Sequence, residues 1–196
     1  MTERQRKEIQ EKLSVLLHRP LHRMGRYEDM TWLSFGEPVE EKNDLMKEKK
    51  GVGRFELQIE SDARMRCGNE ILMGRGDMFE PSKKLAGQDD YDSATFEWSI
   101  RGNNYYDEFA EEKLGENPDG FTVKKATISL LGDLKIEFEN GYLLETFTGT
   151  SGNEEGWRFF DRCAKEEDDL VVCGLGLVEY GEDEDEGEDS EDEKSE

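Results

Sequence analysis

The chain is poor in the residues that build most catalytic and structural centres. It has two histidines, three cysteines and four prolines in 196 residues. Cys67, Cys163 and Cys173 are odd in number and none stands in C-x-x-C spacing, so a disulfide scaffold is not indicated. His18 and His22 lie far in sequence from every cysteine, which leaves no zinc ligand set. The expectation is buried, reduced thiols in a cytoplasmic protein that holds no metal. No run approaches the ~18 apolar residues of a membrane-spanning helix, and MTERQRKEIQEKL lacks the apolar stretch of a signal peptide. Basic charge is scarce as well. Lys and Arg number 26 against 49 Asp and Glu, a net −23. That sign argues against a nucleic-acid partner and against an anionic membrane surface. Apolar residues are few, at 34%. A folded domain is possible, with a lean core.

Catalytic motifs are missing too. There is no H-E-x-x-H, no G-x-S-x-G and no glycine-rich loop ending in Lys-Ser or Lys-Thr. Gly174-Leu175-Gly176 follows an apolar run but lacks the third glycine and the helix of a dinucleotide site. No cofactor is expected. Carboxylates are so abundant that an acid pair can be drawn almost anywhere, which deprives such a pair of meaning. Asp89, Asp90 and Asp92 do not have calcium-loop spacing. Arg75-Gly76-Asp77 reads as a turn.

What is present is patterning. Residues 2–18 carry Ile9, Leu13, Leu16 and Leu17 at helical spacing. Thr2 and Gln5 can form a capping box, and Pro20 is placed to end the helix. Beyond it the pattern is mainly β. MTWLSF (30–35), FELQI (55–59), ARMRC (63–67), EILMG (70–74), TFEWSI (95–100) and TVKKATISLL (122–131) read as strands. Gly68-Asn69 joins two of them. Asn140-Gly141, between LKIEFE and YLLETF, is the clearest hairpin signal, since a type I′ turn needs positive φ at both central residues. LVVCGLGLVEY (170–180) reads as one last buried strand. NNYYDEFAEEKL (103–114) reads as a helix with Tyr106, Phe109, Ala110 and Leu114 inward and Gly115 at its end. EEKNDLMKEKK (40–50) is a weaker surface helix. Leu57 and Leu134 each open an L-x-I-E run, so two related β-hairpin units are one option, with chance similarity the other.

Charge divides the chain. Residues 1–26 hold seven basic and three acidic side chains, whereas residues 181–196 hold eleven acids and one lysine. The tail has no apolar residue and is expected to be disordered. The domain expectation is therefore a single α+β unit over 1–180: an N-terminal helix packed on a mainly antiparallel, twisted sheet, followed by an acidic tail over 181–196.

Trp32, Trp98 and Trp157 fall in apolar patterns and read as core. Two aromatic positions lie among acids instead. Tyr91 stands with Asp89, Asp90 and Asp92, and Tyr105 with Glu108 and its acidic neighbours. Tyrosine supplies contact area and the acids supply steering, so these six residues are the candidate partner-binding set. A solvated loop and a solvated helix face are the plainer alternative.

The C-terminal stretch GDLKIEFENGYLLE (132–145), NEEGWRFF (153–160) and DLVVCGLGLVEY (169–180) resembles a group of small bacterial domains of unknown function. Their shared pattern is G-x-L-x-L-x-F-x-[DN]-G-x-x-L, then an acid near a Trp, here Glu155 and Trp157, then a short apolar strand and a final aromatic, here Tyr180. The chain departs from it at Gly174-Leu175-Gly176, where the family has Pro-Gly-Gly. The resemblance covers roughly residues 52–180. It implies a β-rich fold with no catalytic residues, and some similar acidic proteins are immunity proteins.

The functional expectation is a non-catalytic acidic binding protein, such as an immunity-type inhibitor of a basic toxin. Its partner is then a basic protein. Three alternatives stay open: a polyanionic scavenger or DNA mimic, a housekeeping module whose charge serves solubility, and an enzyme with a carboxylate site assembled from separate strands.

Overall fold

The structure is a computed structural model and describes residues 1–39, 52–115, 118, 120–164 and 169–178. The expected helix over 40–50, Tyr180 and the acidic tail lie outside the described residues. The fold is α+β, with two mainly antiparallel sheets and an N-terminal helix.

Helix α1 spans Glu3–Leu13. Its capping box forms: Thr2 Oγ1 accepts from the Gln5 amide at 3.2 Å, and Gln5 Oε1 accepts from the Thr2 amide at 3.0 Å. Ile9, Leu13 and Leu16 are buried, but Leu17 is 40% exposed, so the inner stripe stops one residue sooner than its spacing suggests. The helix also ends before Pro20. A short 3-10 turn, Ser14–Leu16, follows, and His18 adopts a left-handed φ of 63°. The chain then trades helical hydrogen bonds for cross-sheet ones: the His18 amide donates to Val123 O at 2.9 Å and the Val123 amide to Arg19 O at 2.9 Å.

The first sheet has the order β1-β2-β3-β9-β10-β11. Its strands are β1 (Leu21–Tyr27), β2 (Met30–Val39), β3 (Val52–Ile59), β9 (Glu155–Asp161), β10 (Leu170–Cys173) and β11 (Gly176–Leu177). The second has the order β5-β4-β8-β7-β6, from β4 (Asp62–Cys67), β5 (Glu70–Gly74), β6 (Val123–Ile128), β7 (Leu134–Phe138) and β8 (Tyr142–Phe147). Period-two alternation aims Leu33, Phe35, Leu57, Ile59, Trp157 and Phe159 of the first sheet, and Met65, Ile136, Phe138 and Leu144 of the second, into one core. Trp157 anchors it, fully buried, with Nε1 donating to Gly132 O at 2.8 Å. No described helix is long and apolar enough to cross a membrane.

Several expectations change. Residues 95–100 are not a strand: Ser93–Thr95 is a 3-10 turn and the following residues are irregular, because the segment belongs to a surface loop. The final apolar run is not one strand. Gly176, at φ 118°, folds it into the β10–β11 hairpin with Cys173 opposite Gly176. The Leu57 and Leu134 runs are not duplicated hairpins. The first leaves β3 in one sheet and enters β4 in the other, with the Glu60 and Ser61 amides both donating to Gly156 O at that corner, whereas the second is a true β7–β8 hairpin. At its turn only Gly141 has positive φ, 85°; Asn140 does not, so the turn is not type I′. The Gly141 amide donates to Phe138 O at 3.1 Å and Asn140 Oδ1 accepts from the Tyr142 amide at 3.1 Å. Trp32 and Trp98 are only half-buried, and Cys163 is exposed while Cys173 is buried.

Candidate functional site

Between β5 and the next long helix, over residues 75–104, the chain leaves the sheets, and residues 83–102 of this excursion form a lobe. A 3-10 turn, Arg75–Phe79, begins the excursion; the Gly74 amide donates to Asp77 Oδ2 at 2.7 Å, so the Arg-Gly-Asp tripeptide is a turn. The loop is closed at its neck by backbone. The Ser82 amide donates to Asn103 O at 2.7 Å and the Tyr105 amide to Glu80 O at 2.9 Å. Helix α3, Tyr105–Leu114, follows, capped by Asn104, whose Oδ1 accepts from the Asp107 amide at 2.8 Å. Its Tyr106, Phe109, Ala110 and Leu114 are buried, as their spacing predicts.

A buried ion pair ties this lobe to the first sheet. Arg26 of β1 and Asp107 of α3 meet two-pronged, Nε to Oδ1 and Nη2 to Oδ2, both at 2.8 Å. Their side chains are 5% and 9% exposed. The same guanidinium reaches Trp98 O at 3.0 Å and lies 5.7 Å from the Trp98 ring centroid. Asp107 Oδ2 also accepts from the Gly102 amide at 2.8 Å, and Asn104 Nδ2 donates to Trp98 O at 2.9 Å. Trp98 packs edge-on against Phe79, centroids 5.0 Å apart. Beneath, the Tyr106 hydroxyl donates to Thr31 Oγ1 at 3.0 Å, and burial raises its pKa beyond that of an ordinary tyrosine. Arginine suits the centre of this clamp because its planar fork satisfies a carboxylate and carbonyls at once.

The structure divides the six sequence-predicted residues in two. Asp89, Asp90, Tyr91 and Asp92 sit together on the loop. Asp89 and Asp90 are exposed and have no hydrogen-bond or ion-pair partner among the described residues; Asp92 Oδ1 accepts from the Ala94 amide at 2.9 Å and so caps the local turn. Tyr105 and Glu108 are on α3, at the lobe's base, and hold it. Glu108 accepts from the Lys83 and Lys84 amides at 2.9 and 3.0 Å, capping the single-turn helix α2 (Lys83–Ala86). The Lys83 ammonium lies 4.9 Å from the Tyr105 ring centroid. These two support the lobe, and the four others are presented by it. Sequence reasoning did not name Arg26, read Trp98 as core and took Asp107 only as one of the acids around Tyr105, so the clamp these three form was missed. Nothing in the local pattern of β1 marks Arg26, because its partners are 72 to 81 positions away.

The tip, residues 88–97, carries Asp89, Asp90, Asp92 and Glu97 and no basic side chain. No group of three or more His, Cys, Asp or Glu side chains among the described residues is placed to hold a metal ion. No known family, curated protein or solved structure matches the chain. The resemblance noted over residues 52–180 therefore rests on those residues alone.

Proposed function

We propose that this is a non-catalytic binding protein that docks a basic protein partner on the acidic tip of the 83–102 lobe, with an immunity-type inhibitor of a basic toxin as its most specific form. The observation that carries the reading is the lobe's construction. Binding residues concentrate on surface excursions held by a rigid scaffold. Here a closed neck, a buried Arg26–Asp107 pair and the Trp98–Phe79 contact fix the lobe, while Asp89 and Asp90 are exposed and have no partner among the described residues. A fixed loop loses little conformational entropy on binding. The charge of its tip, four acids and no base over 88–97 within a chain of −23, steers a cationic partner toward it. The mechanism is blockade: the acids pair with a basic surface and Tyr91 supplies contact area.

The test compares capture by the full chain with capture by a variant carrying Asp89→Asn, Asp90→Asn, Asp92→Asn and Tyr91→Ala, in lysate of the encoding organism, read by quantitative mass spectrometry of isotope-labelled peptides. The reading expects one basic protein whose recovery falls at least about tenfold with the variant, since each ~1.4 kcal/mol lost is tenfold in affinity. Equal recovery of every basic protein by both chains would refute it.

A further inference from the structure

Surface turns are ordinarily built from Gly, Pro, Asn, Asp and Ser, which suit the tight backbone and stay at ease in water. Two turns of this chain carry leucine instead. Between β6 and β7 the turn includes Leu130 and Leu131, 44% and 76% exposed. Between β10 and β11 it is Gly174-Leu175, with Leu175 64% exposed. The two tips lie side by side. A Cβ at Gly132 would stand 3.2 Å from Val172 Cγ1 and 3.7 Å from Cys173 O. Met1 joins them: its backbone nitrogen donates to Leu130 O at 3.0 Å, and a Cβ at Gly176 would stand 2.9 Å from Met1 Cβ. Both turns are pinned. The Ser129 amide donates to Asp133 O at 2.9 Å, the Leu131 amide to Ser129 Oγ at 3.1 Å, and Gly132 O holds the buried Trp157. Gly174 presses so closely on the neighbouring chain that a Cβ there would stand 1.9 Å from Thr150 O.

This leucine patch is on the far side from the acidic lobe. Helix α3 packs on β1 and β5, one edge of each sheet, and α1 packs on β6 and β11, the opposite edges. The edge backbone near the patch is already engaged, since Gln10 Nε2 donates to Ala126 O at 2.7 Å and Met1 and Gln5 lie against Gly176. The surface therefore offers side chains rather than a strand edge, which suits a helix and not an added strand. Its charge setting follows from the sequence. Residues 181–196 hold eleven acids and one lysine, a net −10, and Gly181 is three positions beyond Val178. Three residues span at most about 11 Å, so whatever covers the leucines lies within reach of that acidic run.

We infer that the patch docks an amphipathic cationic helix of a protein partner, its apolar stripe on Leu130, Leu131 and Leu175 and its basic face toward the acids that begin at Glu182. Pinned turns lose little conformational entropy on binding. A second copy is disfavoured, because each copy brings its own −10 run to the same interface, and an anionic membrane is repelled for the same reason. The inference stands apart from docking at the lobe, which uses a different surface.

The probe is a synthetic peptide of about 18 residues with Leu and Lys at helical spacing, apolar on one face and cationic on the other. Its controls are a scrambled peptide of the same composition without an apolar face and an analogue with Glu in place of Lys. Each is titrated into the isotope-labelled full chain and followed by amide NMR. Saturable shifts are expected at residues 129–133 and 174–177, with both controls at least about tenfold weaker. Leu131→Ser with Leu175→Ser should weaken the Leu/Lys peptide at least about tenfold; both side chains are exposed, so the core is untouched. Ile71→Ser, at an exposed apolar position on β5, should leave binding unchanged. A full-length variant with the eleven acids of 181–196 replaced by Asn and Gln should bind more weakly and with a flatter salt dependence. Shifts confined to residues 88–97 would assign the peptide to the lobe and overturn the inference, as would an unchanged affinity in the leucine variant. Concentration-dependent shifts at 129–133 without peptide would assign the patch to a second copy and overturn it as well.

Discussion

Arg26 is the residue whose loss should most change this protein without touching the apolar core. Its side chain and that of Asp107 are 5% and 9% exposed, so Arg26→Ala leaves a buried carboxylate without its cation and removes one of two donors from Trp98 O. Breaking one partner of a buried pair costs about 3–5 kcal/mol, because the remaining charge stays desolvated. With a urea m-value of about 2 kcal/mol/M, the unfolding midpoint should fall by about 1.5–2.5 M. The double variant Arg26→Met with Asp107→Leu gives the control. It removes both charges and keeps volume, and such replacements are often close to neutral. Trp98 O keeps Asn104 Nδ2, and the exposed Gly102 amide can turn to water, so the double variant should lose less stability than Arg26→Ala alone. Urea unfolding followed by tryptophan fluorescence measures both. A loss below about 1 kcal/mol for Arg26→Ala, or strictly additive single effects, would mean that the pair does not hold the lobe as described.

Three further substitutions and conditions test the packing and electrostatics. A Cβ at Gly53 would come within 2.6–2.8 Å of Phe35 backbone atoms, so Gly53→Ala should cost about 1–3 kcal/mol by forcing β2 and β3 apart, read by urea unfolding. Trp157→Phe removes the bond from Nε1 to Gly132 O and leaves that buried carbonyl unmet; about 1–3 kcal/mol should be lost, and the blue-shifted part of the tryptophan emission should disappear. Glu145 has a lowered pKa in the folded state, so its ion pairs stabilise the fold fully above the unfolded value of 4.5, and that contribution fades as pH falls through the lower folded value. Unfolding free energy between pH 6 and pH 3 should therefore drop less steeply in Glu145→Gln than in the wild-type chain.

The sequence showed most of the frame because its local patterns carry the signal. FELQI, LKIEF and YLLETF alternate and become β3, β7 and β8. The capping residues of α1 meet as their types predict, and the Tyr106 stripe forms the inner face of α3. What failed depended on distant partners. Phe96, Trp98 and Ile100 alternate like a strand, yet Trp98 is held by Arg26 and Asn104 within an irregular loop, so a period of two arose without a ladder. The start of the L-x-I-E similarity is real as a string, but one copy turns a corner between sheets, which depends on Gly156 nearly a hundred residues on. At the candidate site the exposed tip was legible from composition, because unpaired acids around a tyrosine are visible locally. The clamp was not, since Arg26 looks like any charged residue near a strand end until Asp107 is folded against it. The same blindness hid the ion-pair cluster on the second sheet, where Arg64, Glu145 and Lys135 meet only through register.

Docking at the lobe is most directly tested by a hydrogen-exchange footprint of the chain in its captured complex against the chain alone. Protection should appear over residues 87–97, where the acids and Tyr91 are presented, with smaller effects at the supporting Tyr105 and Glu108. Protection confined to other surfaces, with exchange over 87–97 unchanged, would contradict the assignment of this lobe as the site that meets the partner.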